Sequence, residues 1–477
     1  MIRFFQNKVY IFILLLAAFL LFYRLSSLME FIGDQAWFYL SARSMILYGQ
    51  IPLVGITSSH VWLHQGPYWT YILAGLLELS HFNPVSGAYF VASIGLITVY
   101  LVYKIGSEIF SKRIGLIASL IYATSPLIIL DARMAYHIFL IAPLTLLLFY
   151  ALYKWIKGYH YGFPVVIFLL AFLYNFETAT FMFFPVVLLI ISYGFFKKAK
   201  WARTILNKKI LLLAFTAWLI PMIPMILYDM HHGYPQTLKF AEWVVYKMAT
   251  VFGFPKLHPN APGETFQTMW PYASEQVKQM VFLNNSVIAW IMLVLCSINL
   301  LYINKEFIKR REYLQPYSLL ALFFFIPAVL YIAEKTNSGA YWIVFFPTVC
   351  FMLALLFERI IRTKNLSIIG TIFLLLFVLL NIISFFQSDF LVNPTGYNFS
   401  LTQRMGAAQK IISESHGKEY NLVGKGYWSQ FASFTMNYEY LTWWMGDGPT
   451  HTKQPLRFVI QELPNSIVVT KEVVKNK

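Results

Sequence analysis

The 477-residue chain is 58% hydrophobic and only 12% charged, where soluble domains carry roughly a quarter charged residues, so an ordinary soluble protein is excluded. The net charge is +16, yet 20 of the 37 Lys and Arg fall in six short segments between apolar runs, among only four acids, Glu108, Glu306, Glu312 and Glu358. Such clustering marks cytoplasmic loops, not a nucleic-acid surface.

In chain order, MIRFFQNK leads into VYIFILLLAAFLLFY. Arg-Leu-Ser-Ser-Leu follows without a small-x-small cleavage pattern, so this run reads as a retained first span. Apolar runs predict about eleven spans, near 9–23, 85–103, 114–130, 137–153, 161–173, 178–196, 210–228, 287–303, 316–333, 341–358 and 367–386. The basic segments put the N-terminus in the cytoplasm and the C-terminus outside. Residues 67–79 are apolar but short and follow Gly66; counting them as a span would invert every later basic loop. They are therefore expected to lie along the outer interface.

The expected organisation is a membrane module over 1–386, all α-helical, with outer loops at 24–84 and 229–286, and an extracytoplasmic domain over 387–477. QRMGAAQKIISES and SIVVTKEVV make that tail a small α/β unit. Cys296 and Cys350 both lie within apolar runs and offer no disulfide framework.

Ionisable groups at membrane depth or its outer edge are costly and become functional candidates by default. The outer ends of the spans supply Asp34 and Gln35; His60, His64 and Gln65; Asp131, Arg133 and His137; Glu177; Asp229, His231 and His232; and Glu334 with Lys335. Asp131 beside Arg133 has a bland reading as a neutralised pair, and the histidine pair and Glu334-Lys335 as solvated turns. Asp34 begins an aromatic amphipathic stretch, AWFYLSARSMILYG, where helix capping is the bland alternative. His60 and His64 stand at i, i+4 and would share a face for a metal if helical, but Gly66-Pro67 ends any helix there. The aromatics Trp37, Trp62, Trp69, Tyr341 and Trp342 suit an interface belt or stacking against sugar rings.

The pieces GDQAWFYLSARSMILYGQIP, LHQGPYWTYILAG, SPLIILDARMAYHIFLIAPL, IPMILYDMHHGYPQT and GAYWIVFFPTVCFMLA, in this order over residues 30 to 355, resemble the C-type (GT-C) membrane glycosyltransferases. The branch is that of the protein O-mannosyltransferases and the bacterial aminoarabinose and lipid-A-modifying relatives. The resemblance implies transfer of a sugar from a polyprenyl-phosphate donor to an acceptor hydroxyl on a protein, glycolipid or polysaccharide, with inversion, on the extracytoplasmic face. It puts Asp34 at the position of the catalytic acid. Arg133, His64, Gln35 and His137 become donor or phosphate ligands, and Glu177, His60, Gln65, Trp62, Tyr341 and Trp342 sugar or acceptor contacts. Gln35 replaces a more frequent Glu, and His137 stands where a second acid or Asn is common. The resemblance implies no required cofactor beyond the lipid-linked donor; a divalent cation is left open without being predicted.

One carboxylate suffices for such a displacement, because phosphate departs as an anion and needs no proton donor. The rival readings are a lipid-sugar flippase, which calls for charges at mid-span, a polysaccharide polymerase or ligase, and an inactive scaffold of the same fold.

Overall fold

The computed structural model describes residues 2–58, 62–251, 265–310, 314–336, 338–388 and 399–474. Among them, nine helices are long and apolar enough to cross a membrane: Lys8–Leu28, Ser86–Ile109, His137–Ile156, Thr178–Phe196, Lys208–His232, Ser286–Lys309, Pro316–Glu334, Gly339–Arg362 and Ser367–Gln387. They account for nine of the eleven expected spans.

The other two expected spans are shorter. Gly162–Phe176 has 15 residues, about 22 Å of helix at 1.5 Å per residue, against a hydrocarbon core of about 30 Å. The run at 114–130 is two helices, Lys112–Thr124 and Pro126–Asp131, broken at Ser125. A residue before proline is pushed out of the helical region, and the Ser125 hydroxyl donates to the Met280 carbonyl at 2.6 Å.

Gly339–Arg362 is the central helix, with 89% of its most apolar window buried. The surrounding helices turn large apolar side chains outward, among them Leu15, Leu212, Val287 and Ile369. An apolar exterior of this extent fits lipid as its solvent, and the chain is a multi-pass membrane protein.

Two helices too short to span, Gly33–Tyr48 and Tyr68–Leu79, occupy the connection between the first and second spans. The tail supplies Leu401–Ser415, capped by a reciprocal Ser400–Gln403 box, and Met436–Trp444. It also supplies three strands, β1 (Asn421–Lys425), β2 (Leu456–Leu463) and β3 (Ser466–Val473). Their order is β1-β2-β3, parallel then antiparallel, with Val423 opposite Val459 and Val459 opposite Thr470. Ile411, Tyr420, Tyr438, Phe458, Ile460 and Val469 form this unit's own core.

The tail docks on the stretch that follows the first span. Leu401 N–H donates to the Met29 carbonyl at 2.8 Å, the Thr402 hydroxyl to the Ser27 carbonyl at 3.0 Å, and Glu30 and Ser400 form an antiparallel bridge. Asn437 Nδ2 donates to the Phe31 carbonyl at 3.1 Å, and the Tyr440 hydroxyl to the Phe82 carbonyl at 2.8 Å.

Candidate functional site

Asp34 sits in the first turn of Gly33–Tyr48, yet that helix start has no side-chain cap. The carboxylate instead accepts from the Ser433 hydroxyl at 2.6 Å through Oδ1. The capping reading of Asp34 therefore fails. Among the described residues Oδ2 accepts no hydrogen bond.

Burial raises the Tyr136 phenol far above its ordinary range, and the charges of Asp34 and Glu177 add to the effect. Glu177 is buried, receives Gln65 Nε2 at 2.8 Å on Oε2, and receives the Thr178 hydroxyl at 3.0 Å on Oε1. Burial pushes its carboxyl upward despite those donors.

The Gln65 corner is held by the bundle. Residues 55–58 pair with 63–66: Gly55 N–H donates to the Gln65 carbonyl at 2.7 Å, and Ser58 N–H to the Leu63 carbonyl at 2.8 Å. The chain at His64 is therefore extended, His64 pairing with Thr57 in an antiparallel bridge. His60 itself lies outside the described residues. Among the described residues no group of three or more His, Cys, Asp or Glu is gathered for a metal ion. Gly66 N–H donates to the Asn175 carbonyl at 2.7 Å, and a Cβ at Gly66 would come within 1.8 Å of Asn175 Oδ1. Only glycine fits that approach.

Prolines in Lys208–His232 complete the corner. Pro224 lacks the N–H that would reach Ile220, and the freed Ile220 carbonyl accepts from Tyr68 at 3.1 Å. Asn175 Nδ2 takes the Pro221 carbonyl at 3.1 Å. Asp229 then shapes the following turn, accepting from Gln236 N–H at 2.8 Å and from the Thr237 hydroxyl at 2.6 Å. That turn presents Gln236 to His64: Oε1 accepts the His64 N–H at 2.9 Å, and Nε2 lies 3.1 Å from His64 Nδ1. An amide nitrogen only donates, so Nδ1 accepts and the imidazole proton sits on Nε2. Burial, the largest cause, holds His64 below its ordinary range, so the ring is neutral near pH 7. Lys239 Nζ stands 4.8 Å from the centre of the Trp62 ring, whose carbonyl is also held by Gln236.

Among the described residues, Gln35 is fully buried with both amide atoms lacking a partner, and His137 is buried with both ring nitrogens lacking one. The His137 ring lies 4.9 Å from Phe38 and 4.3 Å from Tyr136, centre to centre. Both side chains thus hold unused hydrogen-bonding capacity beside the acids.

Two expected site residues serve the scaffold instead. Arg133 is fully buried and gives Nη1 to the Leu20 and Leu21 carbonyls at 2.9 and 3.0 Å and Nη2 to the Tyr23 carbonyl at 2.8 Å. A helix ends with unpaired carbonyls and a partial negative charge, and Arg133 closes the end of the first span rather than awaiting a phosphate. Trp342 is 6% exposed, its ring against Tyr331 and Phe345 and its Nε1 3.3 Å from the Tyr331 hydroxyl. That leaves it in the core, without a face for a sugar. Tyr341 is half-buried in the Gly339–Tyr341 turn, which packs on Thr178–Met182 next to Glu177. His231 and His232 are exposed and bond the Leu227 and Tyr228 carbonyls of their own helix.

The structure pairs Asp34 with Ser433 on one side, and on the other joins Glu177 to Gln65 and His64 and Trp62 to Gln236, with Lys239 over the Trp62 ring; Gln35 and His137 join neither group by a hydrogen bond among the described residues. Gln236 lies within the IPMILYDMHHGYPQT motif and Lys239 is the first cation after it, so position in sequence points to both. Ser433 carries no such signal.

Residues 64–228 match the family described as dolichyl-phosphate-mannose-protein mannosyltransferase. No protein of curated function matches the sequence. Among solved structures, ArnT from Cupriavidus metallidurans in the apo state is 9% identical with a TM-score of 0.62, all of each chain being covered. The same protein bound to undecaprenyl phosphate gives 8% identity and a TM-score of 0.60 over 95% of this chain and 92% of that one. The archaeal oligosaccharyltransferase AglB from Archaeoglobus fulgidus, in complex with an inhibitory peptide and a dolichol-phosphate, is 13% identical with a TM-score of 0.53 over 92% of this chain. This chain spans 64% of the AglB length. The protein has the GT-C fold of these membrane glycosyltransferases, and over residues 64–228 it matches the dolichyl-phosphate-mannose-protein mannosyltransferase family.

Proposed function

We propose that this chain is a glycosyltransferase that moves a sugar from a polyprenyl-phosphate donor to an acceptor hydroxyl on the extracytoplasmic side, with inversion. The observation that carries the reading is Asp34: a first-turn acid that caps nothing, is held through Oδ1 by Ser433, and leaves Oδ2 without a hydrogen bond among the described residues. The fold's relatives include one bound to undecaprenyl phosphate and one to a dolichol-phosphate, which supports a lipid-linked donor.

In the proposed step Asp34 takes the acceptor's hydroxyl proton. The acceptor oxygen forms a bond to the anomeric carbon, the bond from that carbon to the phosphate oxygen breaks, and its electron pair leaves on polyprenyl phosphate. The departing charge needs a cation. Arg133 is sealed against carbonyls and His64 is neutral, so Lys239 supplies the charge and His64 Nε2–H a hydrogen bond. Gln35, His137, Gln65 and Glu177, buried in this structure, would serve the sugar hydroxyls once donor binding opens the packing over them. The basic segments support an outer location for this end of the bundle, where the donor phosphate would lie at headgroup depth.

The test is Asp34→Asn in proteoliposomes supplied with radiolabelled polyprenyl-phosphate sugars and membrane extracts as acceptor source. General-base removal should slow transfer by about 10²–10⁴-fold while donor binding persists. Transfer at the wild-type rate would remove Asp34 as the base.

A further inference from the structure

We propose that Ser433, in the tail domain, is the positioning residue that orients Asp34 for catalysis, which makes the tail a working part of the catalytic site. The inference rests on the reading of Asp34 as the base.

The Ser433 hydroxyl donates to Asp34 Oδ1 at 2.6 Å across 399 residues of sequence. Neither partner is free to drift. On one side Gly33 has no side chain, and a Cβ there would lie 1.9 Å from the Ser433 carbonyl oxygen and 3.2 Å from the Phe434 nitrogen. The chain approaches so closely that only glycine is accommodated. On the other side Ser433 precedes Met436–Trp444, which is fastened to the same loop by Asn437 on Phe31 and Tyr440 on Phe82. Arg43 of the Asp34 helix adds a 3.8 Å ion pair with Glu439 and lies 4.8 Å from the Trp443 ring centre.

A carboxylate can rotate about its side-chain bonds and present either oxygen. With Oδ1 held by Ser433, Oδ2 is the oxygen left for the acceptor, and its direction is set before substrate arrives. Preorganisation of this kind acts on the chemical step, because the base is placed whether or not substrate is bound. Ser433 touches neither donor nor acceptor in this scheme; it acts through Asp34.

Ser433→Ala, Ser433→Thr and Gly33→Ala, compared with wild type and Asp34→Asn in the same proteoliposomes, test this. Ser433→Ala should lower kcat by about 10- to 100-fold with donor KM unchanged, and Ser433→Thr, which keeps the hydroxyl at a half-exposed position, should restore most of it. Gly33→Ala should reproduce the loss by displacing the Ser433 backbone. In the Asp34→Asn background, Ser433→Ala should cost nothing further. Limited proteolysis should show the tail docked in both Ser433 variants. Ser433→Ala at the wild-type rate beside an inactive Asp34→Asn would overturn this inference alone. A threonine variant as slow as the alanine would do the same, since the hydroxyl would then not be the cause. An active Asp34→Asn would instead overturn the reading of the base.

Discussion

The two flanks of the site are built from different parts of the chain. The Asp34 flank is fastened by the tail: Ser433 on Asp34, Asn437 on Phe31, Leu401 on Met29 and Thr402 on Ser27. The His64–Gln65 flank is fastened by the bundle: Asn175 on Gly66, Glu177 on Gln65, Gln236 on His64, and the Pro224-freed carbonyl of Ile220 on Tyr68. One flank hangs on a domain with its own core, the other on helices locked among spans. The difference teaches that the proposed base and the proposed phosphate anchor can be disturbed separately. Damage to the tail should appear in the chemical step, and damage to the bundle flank in donor use.

The largest effect beyond Asp34 itself is expected at Arg404. Its side chain is 2% exposed, lies 3.3 Å from Glu462, and donates to the Phe399 carbonyl. Tyr438 donates to the same Glu462 at 2.6 Å. Burial raises the neighbouring Glu30 carboxyl, and Arg404 is the group that opposes this. Arg404→Ala would leave buried acids uncompensated, a loss of about 3–5 kcal/mol that falls on the tail and its docking. Hydrogen exchange and proteolysis should show the tail opening, with transfer lost and donor binding kept. Equal loss of donor binding would show that the two flanks are not separable.

The bundle flank should break in the opposite manner. Lys239→Gln removes the exposed cation beside Trp62. Hydrogen bonds to a charged partner contribute about 1.5–3 kcal/mol, and the phosphate gains charge as it departs, so kcat/KM for the donor should fall by roughly tenfold or more, through kcat as well as KM. An unchanged kcat/KM would take Lys239 out of the phosphate role.

How much of this was legible from sequence also differs between the flanks. The spans were legible because hydrocarbon demands long apolar runs, and nine of them form as expected. The shortfall came where length alone misled: Pro126 splits one run at Ser125, and Gly162–Phe176 stops short. Asp34 was legible as an acid without an obvious partner at a membrane edge. Arg133 has the residue type and motif position that suggest phosphate, whereas three carbonyls at the end of the first span hold its guanidinium. Trp342 likewise is an aromatic near the interface that the fold turns inward. Ser433 could not be found at all. A serine in FASFT gains meaning only when folding brings it to a glycine and an acid 399 residues earlier.

The smallest expected effect is at Glu177, which belongs to the bundle flank through Gln65. Glu177→Gln keeps the shape and one acceptor oxygen. The new amide nitrogen would face Gln65 Nε2, but Gln65 Oε1 has no partner, so a half-turn of the Gln65 amide lets it accept instead. The substitution should therefore fold. Its signature is in pH. Burial raises the Glu177 carboxyl in the folded protein, so the folded state holds that proton more tightly than the unfolded chain. The contribution is fully present below the ordinary carboxylate range and is lost as pH rises through the folded value. Glutamine has nothing to titrate. The midpoint of unfolding for Glu177→Gln should match wild type in acid and exceed it near neutrality, followed by thermal denaturation in detergent from pH 4 to 8. Curves that stay parallel across that range would mean that Glu177 is not desolvated in the folded protein.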